Sequence, residues 1–219
     1  MFVKICGVTS EEDALLAVAM GADAVGFVFA PSPRQMAPSA VQAIARRLPP
    51  EVLTVGVFRD ELARQVVETV NRTGLRAAQL HGNESREDCG YVSTRVPVCI
   101  KAFSAGDRRL ERAGEYGAGI VMVDAPSPGS GQVFDWRLAE GTPKGRRLLL
   151  AGGLDPGNVA AAIQAVHPWG VDVSSGVESS PGKKDASLMR AFVQAARAAE
   201  PEPYDAEDGL APYDWDDEP

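Results

Sequence analysis

Eight short apolar runs recur along the chain, and each is followed by a helical pattern or a helical turn. The runs are rich in Val, Ile and Leu and do not alternate between polar and apolar residues. Such runs are expected of parallel strands whose two faces are both buried. The predicted strands cover residues 2–6, 24–29, 52–58, 77–80, 96–103, 120–123, 148–150 and 171–173.

The segments between these strands carry helix signals. Ser10 precedes the first helical pattern, and Asp13, three residues on, nearly completes a capping box. Asp155 and Pro156 open a later helix, as a cap residue followed by a proline at the first helical position. Other helices are predicted at residues 11–20, 38–48, 61–71, 84–93, 107–113 and 185–199, with a shorter helical segment at 134–138.

Two small-residue turns indicate how the strands are arranged. Eight strand–helix units fit a (β/α)8 barrel, although a doubly wound open sheet shows the same alternation. Ala151-Gly-Gly153 follows the seventh strand and Ser174-Ser-Gly176 the eighth, where such barrels usually bind phosphate. We therefore predict an α/β fold, a single-domain (β/α)8 TIM barrel over residues 1–199. Exposed amides at helix N-termini favour anions, so phosphate is expected at Gly152, Gly153, Ser175 and Gly176. The alternative is two ordinary turns.

The net charge of −8 is unevenly distributed. Residues 200–219 hold nine Asp or Glu and no Lys or Arg, which leaves residues 1–199 with a net charge of +1. This acidic, proline-containing segment is predicted to be a disordered tail, because it cannot bury enough apolar area to fold alone. It would serve as a solubilising extension or as a docking segment. Nucleic acid is an unsuitable partner for so acidic a protein.

Cysteine usage and hydropathy suggest the compartment. The three cysteines have no CxxC spacing, so neither a disulfide framework nor a zinc site is indicated. No apolar run reaches the roughly 18–20 residues that span a bilayer, and the first residues do not resemble a signal peptide. We expect a cytoplasmic protein with no membrane partner and no metal or redox cofactor. The sequence leaves open whether it is a monomer or a homodimer.

Candidate chemistry lies at the carboxyl ends of the strands, where barrel enzymes place their catalytic groups. Cys6 ends the first strand, and strand alternation puts Lys4 on the same face, where a cation would lower the thiol pKa. A carboxylate directly after the apolar run 120–123 is expected to meet water or a ligand, which points to Asp124. The alternatives are a buried core cysteine and a loop-bracing aspartate. The full set of strand-end candidates is Cys6, Arg34, Asp60, His81, Phe103, Asp124 and Asp172.

Three of these candidates suit substrate contact. Arg34 lies in a proline-braced loop and could clamp a carboxylate through a bidentate fork. His81 stands at a strand end, and could equally bond a neighbouring carbonyl. Asp172 has the strand parity to reach the barrel mouth or to brace a loop. With only one other histidine in the chain, His167, a histidine-centred metal site or a Ser-His-Asp triad is not indicated.

As a set, several segments resemble those of the phosphoribosylanthranilate isomerase family, in order and over about residues 2–197. The similar segments are Lys4-Ile-Cys-Gly-Val-Thr9, Ser32-Pro-Arg34, Gln79-Leu-His-Gly82, Asp124 with Gly129-Ser-Gly131 and Phe134-Asp-Trp136, Ala151-Gly-Gly-Leu154 with Pro156 and Asn158-Val159, Gly170-Val-Asp-Val-Ser-Ser-Gly-Val-Glu178 and Pro181-Gly-Lys-Lys-Asp185.

The resemblance implies an Amadori rearrangement of N-(5-phosphoribosyl)anthranilate, the third step of tryptophan biosynthesis. It implies Asp124 as general acid, Cys6 as general base and Arg34 as the group that holds the anthranilate carboxylate. It also implies that the glycine and serine turns bind the 5′-phosphate and that no cofactor is needed. Two alternatives remain: the related isomerase of the histidine pathway, whose first strand ends in an acid, and a non-enzymatic phosphate-binding scaffold.

Overall fold

Eight parallel strands close into a barrel in the computed structural model of the chain, which describes residues 1–125 and 146–199. Each strand pairs with the next along the chain, and the eighth pairs with the first. The predicted (β/α)8 barrel is therefore confirmed, and the open sheet is excluded. The strands are β1 Phe2–Ile5, β2 Ala24–Val28, β3 Leu53–Phe58, β4 Ala77–Leu80, β5 Val98–Ser104, β6 Ile120–Asp124, β7 Arg147–Leu150 and β8 Gly170–Val173.

Six α-helices surround the barrel in the described ranges: α1 Glu11–Ala19, α2 Pro38–Ala45, α3 Ala63–Thr73, α4 Arg86–Ser93, α5 Val159–Val166 and α6 Ala186–Ala198. Two 3₁₀ segments, Arg108–Tyr116 and Ser175–Val177, follow β5 and β8. None of these helices is long and apolar enough to cross a bilayer. The predicted segment 134–138 and the tail 200–219 lie outside the described residues.

The capping predictions have different outcomes. The Ser10 side chain accepts a hydrogen bond from the Asp13 amide, as predicted for the start of α1. The predicted start at Asp155-Pro156 is wrong, because α5 begins only at Val159. Asp155 instead accepts hydrogen bonds from the Gly157 and Asn158 amides, so it stabilises a turn before the helix.

The buried apolar side chains form two clusters on the two sides of the sheet. One fills the barrel interior and includes Leu53, Ile100 and Met122. The larger one lies between the strands and the helices. Alternation along each strand assigns successive residues to the two clusters, so polar residues of interior parity stand out as candidates for chemistry.

An antiparallel hairpin that the sequence analysis did not predict follows β8. Its strands are β9 Glu178–Ser180 and β10 Lys183–Lys184. The Thr9 hydroxyl donates to the Gly182 carbonyl at 2.5 Å, and the Lys184 amide donates to Asp13 at 3.2 Å. The hairpin therefore packs against the segment after β1, next to the candidate base.

Candidate active site

Cys6 lies at the mouth of the barrel above a buried ion pair. Lys4 of β1 is opposite Asp172 of β8, and the Lys4 ammonium is 2.7 Å from an Asp172 carboxylate oxygen. The Lys4 side chain has no exposed area. A Cβ on Gly26 of β2 would be 2.8 Å from the Cys6 sulfur and 3.1 Å from the Lys4 nitrogen. Glycine at this position therefore makes room for both groups.

The expectation that Lys4 lowers the pKa of the Cys6 thiol is wrong in its net result. Burial raises the thiol pKa above its usual value, and this effect exceeds the lowering that Lys4 contributes. Asp172 adds to the rise, because a thiolate next to that carboxylate is disfavoured. The same ion pair keeps the Lys4 pKa high, although burial alone would lower it.

Asp124 is the last residue of β6 and lies directly beside His81, which follows β4. The His81 Nε2 and Asp124 Oδ2 atoms are 3.0 Å apart, and the other Asp124 oxygen accepts from the Ala125 amide at 2.7 Å. Asp124 is only 7% exposed. The structure thus brings together two residues that the sequence analysis had considered separately.

Gln79 contacts the opposite edge of the His81 ring. Its amide nitrogen lies 2.7 Å from His81 Nδ1, inside the barrel and almost without exposure. The sequence analysis quoted Gln79 within a motif but gave it no role. A polar side chain at an interior position of an otherwise apolar strand was the available signal.

Arg34 forms a bidentate ion pair with Glu178 of β9. Its Nε and Nη2 atoms lie 2.7 and 2.8 Å from the two carboxylate oxygens. Glu178 also accepts from the buried Lys184 ammonium at 2.9 Å. Burial alone would raise the pKa of the Glu178 carboxyl, but these two cations hold it below its usual value. Burial lowers the pKa of Lys184, and Glu178 offsets this only in part. The sequence analysis gave neither Glu178 nor Lys184 a role.

The two turns predicted to bind phosphate meet at the same end of the barrel. A Cβ on Gly176 would lie 2.0 Å from the Leu154 carbonyl oxygen, so this glycine permits close contact between the turns after β7 and β8. Gly152 and Gly153 both have positive φ, at 91° and 65°. A Cβ on Gly152 would be 2.4 Å from the Ala125 nitrogen, which places this turn beside Asp124. Ser175 opens the short 3₁₀ segment.

Two strand-end candidates are not directed at the site. Phe103 faces the helices and packs edge-on against Tyr116, with ring centroids 5.1 Å apart. Asp60 accepts a hydrogen bond from the Asn83 amide and so connects two loops. Among residues 1–125 and 146–199, no group of three or more His, Cys, Asp or Glu side chains could hold a metal.

Comparison with known proteins identifies the family. A family model described as N-(5′phosphoribosyl)anthranilate (PRA) isomerase matches residues 3–195. An N-(5′-phosphoribosyl)anthranilate isomerase from Desulforudis audaxviator is 52% identical over 204 residues, which are 90% of this chain and 98% of the relative. The crystal structure of phosphoribosyl anthranilate isomerase from Thermus thermophilus has a TM-score of 0.85 and 41% identity, and the match covers 90% of this chain and 99% of that one.

A second solved structure adds a bound molecule. It is a phosphoribosyl anthranilate isomerase in complex with reduced 1-(o-carboxyphenylamino)-1-deoxyribulose 5-phosphate, with a TM-score of 0.80 and 42% identity. The match again covers 90% of this chain and 99% of that one. Family model, sequence relative and solved structures agree over nearly the whole described barrel. The chain belongs to the N-(5′-phosphoribosyl)anthranilate isomerase family.

Proposed function

We propose that this isomerase converts N-(5′-phosphoribosyl)anthranilate to 1-(2-carboxyphenylamino)-1-deoxyribulose 5-phosphate, the third step of tryptophan biosynthesis. Family membership supports the reaction. The observation that carries the assignment of roles is the placement of Cys6 and the Asp124–His81 pair at the carboxyl ends of interior-facing strands. A proton donor and a proton acceptor are the groups that an Amadori rearrangement requires.

Asp124 is the proposed general acid. Its carboxylic acid gives a proton to the furanose ring oxygen while the bond from that oxygen to C1′ breaks, and the amine nitrogen supplies the electron pair that forms the Schiff base. Cys6 is the proposed base. Its thiolate takes the C2′ proton, and the electrons of that bond form the enolamine, which tautomerises to the ketone. Asp124 then regains a proton and the Cys6 thiol releases the one it took, so the reaction is a net isomerisation.

Asp172 is proposed to control when the thiolate forms. One of its oxygens binds Lys4, while the other accepts no hydrogen bond from any residue in the described ranges. A sugar hydroxyl that donates to this second oxygen would weaken the negative field at Cys6. Lys4 would then favour the thiolate, so substrate binding itself would generate the base.

The remaining site residues are proposed to hold the two ends of the substrate. Arg34 uses two of its five N–H donors for Glu178, which leaves its outer edge for the anthranilate carboxylate. The turns that contain Gly152, Gly153, Ser175 and Gly176 are proposed to bind the 5′-phosphate. No described residue accepts a hydrogen bond from the amides of Gly152 or Gly153, which supports this role. His81 is proposed to contact the substrate beside Asp124.

Turnover measured by the loss of anthranilate fluorescence tests this function. The purified chain should convert the substrate, and Cys6→Ala should lower kcat by about 10²–10⁴-fold, the usual contribution of general base catalysis. Cys99→Ala is the matched control, because Cys99 is a buried thiol that faces the helices and should leave kcat unchanged. A Cys6→Ala rate close to wild type would mean that another group is the base.

Residues 1–199 are proposed to be the complete catalytic unit, without a cofactor, in the cytoplasm, as a monomer or a homodimer. The family match ends at residue 195 and so supports this limit. Deletion of residues 200–219 should leave kcat/KM unchanged. A large loss after the deletion would show that the acidic segment takes part in catalysis.

A further inference from the structure

Gln79 has an arrangement that the proposed chemistry does not yet explain. Its amide oxygen is buried and has no hydrogen-bond partner, and it is the one such side-chain atom among the described residues. Its amide nitrogen contacts His81 Nδ1 at 2.7 Å and the Met122 sulfur at 3.4 Å. An orphaned acceptor in the barrel interior is unfavourable by about 1–3 kcal/mol, so its presence calls for a reason.

The contacts define where the protons lie. An amide nitrogen can only donate, so His81 Nδ1 must be the acceptor. The ring proton is then on Nε2, which lies 3.0 Å from Asp124 Oδ2. The Ala125 amide donates to the other Asp124 oxygen, so both oxygens face donors, the arrangement that suits a carboxylate. This is the state of the site after the acid has given up its proton.

Rotation of the Gln79 amide by 180° produces the complementary state. The oxygen would then face His81 Nδ1, which must carry a proton to donate to it. A second proton would be shared between His81 Nε2 and Asp124. The His81–Asp124 couple would then hold two protons, where the first state holds one. The rotation gives up the contacts of the amide nitrogen with His81 Nδ1 and the Met122 sulfur, while the oxygen gains the partner that it lacks. Glutamine is suited to this exchange, since its two ends have nearly the same shape and opposite hydrogen-bonding character.

We propose that Gln79 is a positioning residue that sets how many protons the His81–Asp124 couple holds, by rotating its amide between donor and acceptor orientations. The inference rests on the proposed role of Asp124 as general acid. When the Gln79 amide accepts from His81, the couple holds the proton that it will give to the ring oxygen. When the amide donates to His81, the couple has already given up that proton. Gln79 itself does not touch the reacting atoms.

The neighbouring charges are balanced, so the couple is controlled locally. Behind the His81 turn, Lys101 is paired with Glu84 at 2.6 Å, and this lysine also donates to the Gly82 carbonyl. Asp60 accepts a hydrogen bond from the backbone amide of Asn83 in the same turn. On the opposite wall Lys4 is paired with Asp172. Gln79 is therefore the neutral group through which the proton content of His81 can be adjusted.

Histidine-selective ¹⁵N NMR tests the inference directly. The chain has two histidines, and His167 is exposed at the end of α5, so it is an internal reference in every spectrum. In Gln79→Glu the side chain can only accept, so the pH midpoint of His81 protonation should rise by about one unit or more. Gln79→Met keeps the volume but neither donates to nor accepts from Nδ1, so the midpoint should lie below that of Gln79→Glu. The His167 midpoint should not move in either variant.

Unchanged His81 midpoints in both Gln79 variants would overturn the inference. Gln79→Met suits the apolar interior beside Met122, so this variant should fold even if Gln79→Glu does not. A higher His81 midpoint in Gln79→Glu than in Gln79→Met and altered pH profiles of kcat/KM, with KM preserved, would support the proposed role. Asp124→Asn distinguishes a failure of the proposed general acid from a failure of the proposed role of Gln79. Full activity of that variant would refute the proposed acid, whereas an inactive Asp124→Asn with unmoved His81 midpoints would refute only the role of Gln79.

Discussion

Removal of the Lys4 charge is the perturbation whose effect follows most directly from the geometry. In Lys4→Met the 2.7 Å pair is lost and the buried Asp172 carboxylate has no counter-ion. Breaking a buried pair from one side typically costs about 3–5 kcal/mol of folding free energy. A domain of this kind is stable by about 5–15 kcal/mol, so the loss should be easy to measure by urea unfolding.

The matched control is the double variant Lys4→Met/Asp172→Asn. It removes both charges and should be more stable than Lys4→Met alone, because neither partner is left buried and unpaired. The thiol provides a second readout. Lys4→Met should raise the pKa of Cys6 further and Asp172→Asn should lower it, since Lys4 favours the thiolate and Asp172 disfavours it. The pH dependence of alkylation at Cys6, followed by mass spectrometry, reports both shifts.

Two outcomes would refute this reasoning. A loss below about 1 kcal/mol in Lys4→Met would mean that the pair is solvated like a surface ion pair. Equal alkylation profiles in the wild type and both single variants would mean that neither charge acts on the thiol.

Two further predictions concern the barrel around the site. Burial raises the pKa of Cys99 to about 12, so the unfolded chain loses this proton first as the pH rises and the stability contributed by this group declines. Between pH 8.5 and 10 the wild type should therefore lose about 1–2 kcal/mol more than Cys99→Ala in urea unfolding, and parallel curves would contradict this. Gly26→Ala places a methyl group 2.8 Å from the Cys6 sulfur and should lower kcat/KM at least about tenfold. Gly90→Ala, whose new Cβ meets nothing within 4 Å, is its control and should retain full activity, and equal activity of the two variants would count against a tightly fitted thiol.

The barrel could be predicted from the sequence because its signals are local. Apolar runs without alternation identify strands buried on both faces, and the Gly152 and Ser175 turns distinguish a closed barrel from an open sheet. The start of α5 was predicted wrongly for a local reason as well. Asp155 and Pro156 are equally suited to a turn, and here Asp155 bonds the amides of a turn that precedes the helix.

The electrostatics of the site could not be predicted in the same way. Lys4 and Asp172 are 168 residues apart, and their pairing depends on how β8 closes against β1. From strand alternation alone, Lys4 is an unopposed cation beside Cys6, and this gives the wrong sign for the shift of the thiol pKa. The Arg34–Glu178 pair likewise depends on a hairpin that only the folded chain shows.

The polar groups inside the barrel illustrate the same limit. Gln79 lies in β4 and His81 directly follows that strand two residues on, so their shared direction could be anticipated. Their relation to Asp124 depends on the placement of β6 across the barrel, which no spacing in the chain specifies. Sequence patterns thus indicated which residues could take part, while the closed barrel determines which of them meet.

The acid–base assignment is tested most directly by the kcat of Asp124→Asn, measured at saturating substrate by anthranilate fluorescence. The amide keeps the shape of the side chain and cannot supply the proton to the ring oxygen, so kcat should fall by about 10²–10⁴-fold while product affinity is retained. A kcat within tenfold of the wild type would contradict the assignment, because the ring would then be opened by another acid.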